Sequence, residues 1–241
     1  MDSPIPDIIF PIITLTIGTV IAAYSWQRSR IVAVIAMSWA ILSLFTAQIP
    51  YFQNPDRWTE GDLLGYNAFN AVFTIPIIVL VIASWRSSEF RKFMNDTPVW
   101  VLTASQLYRL SGATLLLYYF QDLLPAEIGI SNGVLDIIIG MTALPLAWAL
   151  YRGFSWSRNF AIIWNFVGLF DFVAAAAVIT LSFFGVIEIS PVPARMGLYP
   201  LSLITVYQVV IAFFIHIHLL QRLFRSESST TLIFNTSQST S

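Results

Sequence analysis

The chain contains no cysteine, a single lysine (Lys92) and two histidines, and only 10% of its 241 residues are charged. Each scarcity removes a class of function. Without cysteine there is no disulfide, no thiolate-bound metal, no iron–sulfur cluster and no thiol nucleophile. The one lysine falls in a loop, which excludes a retinal Schiff base inside an apolar segment. The histidines, His216 and His218, are two residues apart and leave a helix on nearly opposite faces, so they do not share one metal. Nor do they come from facing helices, as a haem held by two histidines normally requires. HExxH, GxSxG and Walker patterns are absent. No haem, retinal or zinc cofactor is expected, and a net charge of −1 leaves no nucleic-acid footprint.

What is abundant is apolar. Hydrophobic residues make up 57% of the chain, and mean hydropathy is +0.74. An average soluble domain is about 25% charged, so this chain has too few polar side chains to coat a soluble globule. Its solvent is expected to be lipid. The N-terminus, Met-Asp-Ser-Pro-Ile-Pro-Asp, lacks a basic region, so the first apolar run reads as a retained span rather than a cleaved signal. Seven segments are long and apolar enough to span as helices, near Ile8–Tyr24, Ile31–Phe52, Tyr66–Trp85, Val99–Leu124, Asn132–Tyr151, Asn159–Phe184 and Pro200–Phe224. The period-2 alternation of a membrane β-barrel is missing. The expected fold is an all-α bundle of seven transmembrane helices, a single domain over residues 1–225, followed by a disordered cytoplasmic tail over 226–241 rich in Ser and Thr.

Basic residues are asymmetric. Arg28, Arg30, Arg86, Arg91, Lys92, Arg152, Arg158, Arg222 and Arg225 fall on one side, Arg57 and Arg195 on the other. The positive-inside rule puts the first set in the cytoplasm, the N-terminus outside and the chain in the cell membrane. Tryptophans and tyrosines gather near both sets of span ends, as interfacial belts do.

Three charges break the apolar runs. Arg109 lies about 15 Å into the fourth segment, Asp171 about 16 Å into the sixth, and Asp136 only about 6 Å below the outer boundary of the fifth. Matched depth predicts that Arg109 pairs with Asp171, while Asp136 stays nearer water. A charge at membrane depth is costly unless paired or hydrated, so it marks a polar core. Each of the three sits on a stripe of small residues: Gln106, Arg109 and Ala113; Gly133, Asp136, Gly140, Ala143 and Ala147; Gly168, Asp171 and Ala175. Residues so spaced share one face, and small ones let helices approach. Asn165 lies at the depth of the histidines, and a contact with His218 is expected. The plainer readings are a structural ion pair locking two helices, an interfacial or capping carboxylate for Asp136, and a packed or snorkelling His216.

From about Gln106 to Phe224 the sequence resembles a group of uncharacterised bacterial multi-pass membrane proteins. Tyr108-Arg109 with Gly112, Gly133 and Asp136 with Gly140, Trp164-Asn165 with Gly168 and Asp171, and Tyr199-Pro200-Leu201 leading to His218 carry the resemblance. It implies Arg109, Asp136, Asn165, Asp171 and His218 as site residues and carries no activity. Leu135 stands where the group tends to have glycine, and Thr205 where it tends to have proline, which leaves a break in the last span unsupported.

The leading expectation is a protein that binds or translocates a small solute or proton through a polar core between the last four spans. Arg109 would hold an anion or set a carboxylate's pKa, Asp171 would be its partner, and His218 the inner proton acceptor. The alternatives are a membrane-embedded enzyme acting on a lipid or isoprenoid, and a structural or assembly subunit. The lipid bilayer is the one partner the sequence names.

Overall fold

The computed structural model describes the backbone of residues 5–238 and the side chains of residues 6–225, and among these it contains helices and no strand. The tail expected over 226–241 lies outside the described side chains. Helices α1 (Ile5–Trp26) and α2 (Arg30–Thr46) form a hairpin. Ser29 starts α2, its hydroxyl accepting the Val32 N–H at 3.2 Å and donating to Glu89 Oε1 at 2.6 Å. Asp62 caps α3 (Leu63–Arg86) by accepting the Gly65 N–H at 3.0 Å. Short α4 (Ser88–Asp96) buries Phe93 and Met94 and exposes Arg91 and Lys92, the pattern of a helix lying along an interface.

The segment expected as one helix over 99–124 is instead built from three pieces: α5 (Val99–Ala104), a 3-10 helix over Ser105–Gly112 and α6 (Ala113–Phe120). Runs of 3-10 helix beyond three or four residues are uncommon and often mark function or strain. Local chemistry favours this one. Ser105 donates to Leu102 O at 2.7 Å and Thr114 to Ser111 O at 2.6 Å, both competing with the α ladder. A 3-10 helix rises about 2.0 Å per residue, so the three pieces together reach about 37 Å, more than the bilayer's hydrocarbon thickness.

The chain continues as α7 (Ala126–Arg152), α8 (Ser157–Phe183), a 3-10 turn over Pro193–Gly197, a π-helical turn over Ile204–Gln208 and α9 (Val209–Gln238). The last span thus carries an irregularity at Thr205 without a proline. Among the described residues, five helices are long and apolar enough to cross a membrane: Pro6–Trp26, Leu63–Arg86, Ala126–Arg152, Ser157–Phe183 and Ile204–Arg225. Of the seven expected, the other two are α2, an apolar helix of 17 residues, and the three-piece segment.

Contacts gather the connections at two ends. At one, Ser29 meets Glu89, Arg222 donates to Thr97 O, and Arg158 donates to Leu223 O at 2.8 Å. At the other, Tyr199 donates to Asp7 O at 3.3 Å, Ser202 to Ala47 O at 2.7 Å, and Tyr66 stacks on Phe183 with centroids 4.3 Å apart. The first is the basic end. The last span is central: 67% of its apolar window is buried, against 6% for α3, which therefore lies on the rim. Large apolar side chains such as Phe45, Leu64, Trp85, Phe120 and Phe170 are exposed around the bundle, as lipid-facing residues are.

Candidate functional site

The tight repeat of the 3-10 helix lines up Gln106, Arg109 and Gly112 as its buried residues. Arg109 is 2% exposed and sits among α7, α8 and α9. Its Nε donates to Asp136 Oδ1 at 2.5 Å, one terminal nitrogen donates to Asp171 Oδ2, and the other lies 3.1 Å from His216 Nε2. The guanidinium carbon lies 4.4 Å from the Phe172 ring centroid. One arginine therefore serves three partners on three helices, with its flat face against an aromatic ring.

The partners are held in turn. Asn132 donates to Asp171 Oδ1 at 2.7 Å and to the Asp171 carbonyl at 3.1 Å. Asn165 donates to Ala161 O at 2.7 Å, which turns its carbonyl oxygen to His216 Nδ1, 2.7 Å away. His216 is fully buried between Trp164 and Phe172, with ring centroids at 5.3 and 6.2 Å. The guanidinium only donates, so His216 Nε2 accepts; Asn165 Oδ1 only accepts, so Nδ1 donates. These roles assign His216 as the neutral Nδ1–H tautomer.

Two glycines make room for the cluster. A Cβ on Gly112 would come within 2.2 Å of Asp136 Cβ, and one on Gly168 within 2.5 Å of the His216 ring. Part of the small-residue pattern is therefore space reserved for the charged side chains, beyond close helix packing.

Depth gives Arg109 one partner, and the structure gives it two. Asp136 is the more exposed carboxylate, its side chain 13% exposed against 2% for Asp171, but it does not stand apart: it too is bound to Arg109. The reason is that α7 starts at Ala126 rather than Asn132, so Asp136 is about 15 Å along the helix. Arg109 thus holds Asp136 as well as Asp171. The expected Asn165–His218 contact is also replaced: Asn165 bonds His216, and His218 turns away to the Met94 carbonyl at 3.2 Å. Sequence reasoning passed over Asn132, His216 and Phe172. A signal for His216 existed. It shares its helical stripe with Ala212, Leu219, Leu220 and Leu223, all buried, whereas His218 shares one with Arg222 and Arg225.

Beside the cluster lies a cavity of about 80 Å³. Asp136, Asp171 and Asn132 meet it on one side, Phe69, Phe73 and Ile179 on others. Ala176, on α8, is its exposed lining residue. Past Arg109, Gln106 is fully buried and neither end of its amide is hydrogen-bonded within the protein. A second cavity of about 400 Å³, walled by apolar side chains of α1, α2, α4, α5 and α9, receives none of these charges. Among the described residues no group of three or more metal-binding side chains converges.

An all-helical bundle with apolar helices of membrane-crossing length, closed around a guanidinium, two carboxyl groups and an imidazole, has the make of a multi-pass membrane protein. The chain belongs to the family described as a domain of unknown function, DUF8737, whose model matches residues 67–224. That range begins in α3, ends in α9 and contains every residue of the cluster, and it is consistent with the uncharacterised group that the sequence resembles. Neither the curated proteins nor the solved structures contain a match.

Proposed function

We propose that this is a cell-membrane protein of seven crossings, N-terminus outside, that binds a small solute or proton at the Arg109–Asp136–Asp171–His216 cluster and passes it through the polar core. The observation that carries this reading is the cavity ending on Asp136 and Asp171. A purely structural ion network would be sealed by apolar packing, whereas here carboxyl groups line a space large enough for water or a small solute. Gln106 extends the polar core beyond Arg109 toward the basic end. The clustering of Arg28, Arg30, Arg91, Arg158 and Arg222 near one set of helix ends supports the orientation.

The absence of native cysteine makes the test direct. Ala175 lines the cavity, so Ala175→Cys creates a single thiol there. A small neutral reagent, methyl methanethiosulfonate, should modify it in the folded, detergent-purified protein within minutes. A folded Ala175→Cys protein that resists modification until it is denatured would leave the network structural and overturn the reading. On intact cells, Thr59→Cys should react with an impermeant reagent, since residue 59 is expected outside.

A further inference from the structure

The cluster is not balanced. Arg109 supplies one fixed positive charge, Asp136 and Asp171 can supply two negative ones, and the hydrogen-bond roles of His216 make it neutral. With both carboxyl groups ionised the sum is 1 − 2 = −1, buried among helices. An uncompensated charge there is strongly unfavourable. A proton on one carboxyl group, or a bound cation, completes it.

The cavity shows where and of what kind. Both carboxyl residues line it, and so does Thr205, which is 8% exposed and whose hydroxyl enters no described hydrogen bond. Thr205 comes to the cavity from the π-helical turn over Ile204–Gln208. Asn70 and Asn132 add two amides, and the rest of the lining is carbon, including the rings of Phe69, Phe73 and Phe172. A hard metal ion takes six or more oxygen ligands at once, whereas most of this lining is apolar. An alkylammonium needs less: two or three acceptors for its N–H groups, and an apolar or aromatic surface for its carbons. Size is limited as well. At about 80 Å³ the space is smaller than the roughly 150 Å³ of a cavity that takes benzene.

We propose that the cavity binds a small organic cation, a primary ammonium with a short alkyl group, its N–H groups on Asp136, Asp171 and Thr205 and its carbons against Phe69 and Phe73. This rests on the reading of the cluster as a solute site and names the chemical class of the solute. The ligand enters past Ala176, and Arg109 stays in place as the counter-charge that keeps both carboxyl groups together.

The Ala175→Cys protein tests the charge of the site with two methanethiosulfonates of similar size, the aminoethyl reagent (cationic) and the sulfonatoethyl reagent (anionic). Thr59→Cys, in an exposed loop, gives the reference ratio of rates. The cationic preference at residue 175 should exceed the reference by about tenfold or more, the scale set by one nearby unmatched charge. Ethylammonium chloride should slow labelling at 175 and leave 59 unchanged, while ethanol and sodium acetate should protect neither. Asp136→Asn in the same background should return the ratio to the reference. If that variant does not fold, protection by ethylammonium decides alone. Equal ratios at the two positions, an anionic preference at 175, or protection by acetate instead of ethylammonium would each overturn the cationic class while leaving a solute site standing. A cationic preference without ethylammonium protection would mean that a proton completes the cluster, and also overturns the proposal. No labelling by either reagent, or by the neutral one, removes the solute site itself.

Discussion

In the α1–α2 hairpin no charged side chain is buried, both helices are α-helical along their whole length, and the chain that links them is three residues long. In the group formed by residues 105–112, α7, α8 and α9, one arginine and an aspartate are almost fully buried, a second aspartate nearly so, and the backbone leaves α geometry twice, as a 3-10 helix and as a π turn. The two regions share a lipid-facing exterior and differ inside. A bilayer span with nothing polar to hold needs only regular apolar helices. One that holds charge needs the side chains brought to a point, and here the irregular turns and Gly112 and Gly168 do that. The family match, residues 67–224, covers the charged group and omits the hairpin.

The comparison breaks most sharply at Arg109. Arg109→Leu leaves two carboxyl groups without their counter-charge, and Asp171→Leu leaves part of the guanidinium unpaired and Asn132 with only the residue-171 carbonyl. Each should cost about 3–5 kcal/mol, as removal of one partner from a buried ion pair does. Were this a simple pair, the Arg109→Leu/Asp171→Leu double variant would recover most of the loss. Three partners predict otherwise: Asp136 remains stranded, and only the triple variant with Asp136→Leu returns toward native stability. Thermal unfolding in detergent ranks the four proteins. A double variant as stable as the triple would remove Asp136 from the network.

Part of this was legible from the sequence. The apolar runs, the inward direction of the charges and the Arg109–Asp171 pairing follow from hydropathy, depth and helical period. Three things did not follow, each for a physical reason. Hydropathy starts the fifth span at Asn132, whereas α7 begins at Ala126 with Glu127 in its first turn, a position that a helix end at an interface tolerates, so the depth of Asp136 along its helix is underestimated. The 3-10 helix was not visible because Ser105 and Ser111 are common in spans and their backbone bonding depends on neighbours. The choice between His216 and His218 turns on two stripes of one helix; the resemblance points to His218, and the structure brings His216 to Arg109.

The two histidines sharpen the comparison, since they lie on one helix and belong to different environments. His216→Leu leaves Asn165 Oδ1 and one guanidinium nitrogen without partners in a sealed core. The expected loss is about 2–6 kcal/mol, at about 1–3 kcal/mol for each unsatisfied group. His218→Leu frees the Met94 carbonyl, which Arg222 also approaches at 3.4 Å. Its cost should stay below about 1 kcal/mol. Chemical denaturation of the two variants gives the ratio directly. Equal losses would place both histidines in the same network.

The smallest expected effect tests the hairpin. Ser29 makes two bonds with one hydroxyl: it accepts from Val32 N–H, the N-cap of α2, and donates to Glu89 on α4. Ser29→Ala removes both. The cap is worth about 1 kcal/mol. Glu89 is exposed and can turn to water, so its lost bond adds little. Ser29→Thr keeps a hydroxyl at the same place and should restore most of the difference, which separates capping from a packing effect at this buried position. The hairpin carries none of the charged cluster, so the Ala175→Cys labelling rate should be unchanged in Ser29→Ala. A loss far above about 1 kcal/mol, or a changed rate at residue 175, would mean that α1 and α2 brace the polar core. The site would then extend beyond the residues that the family match covers.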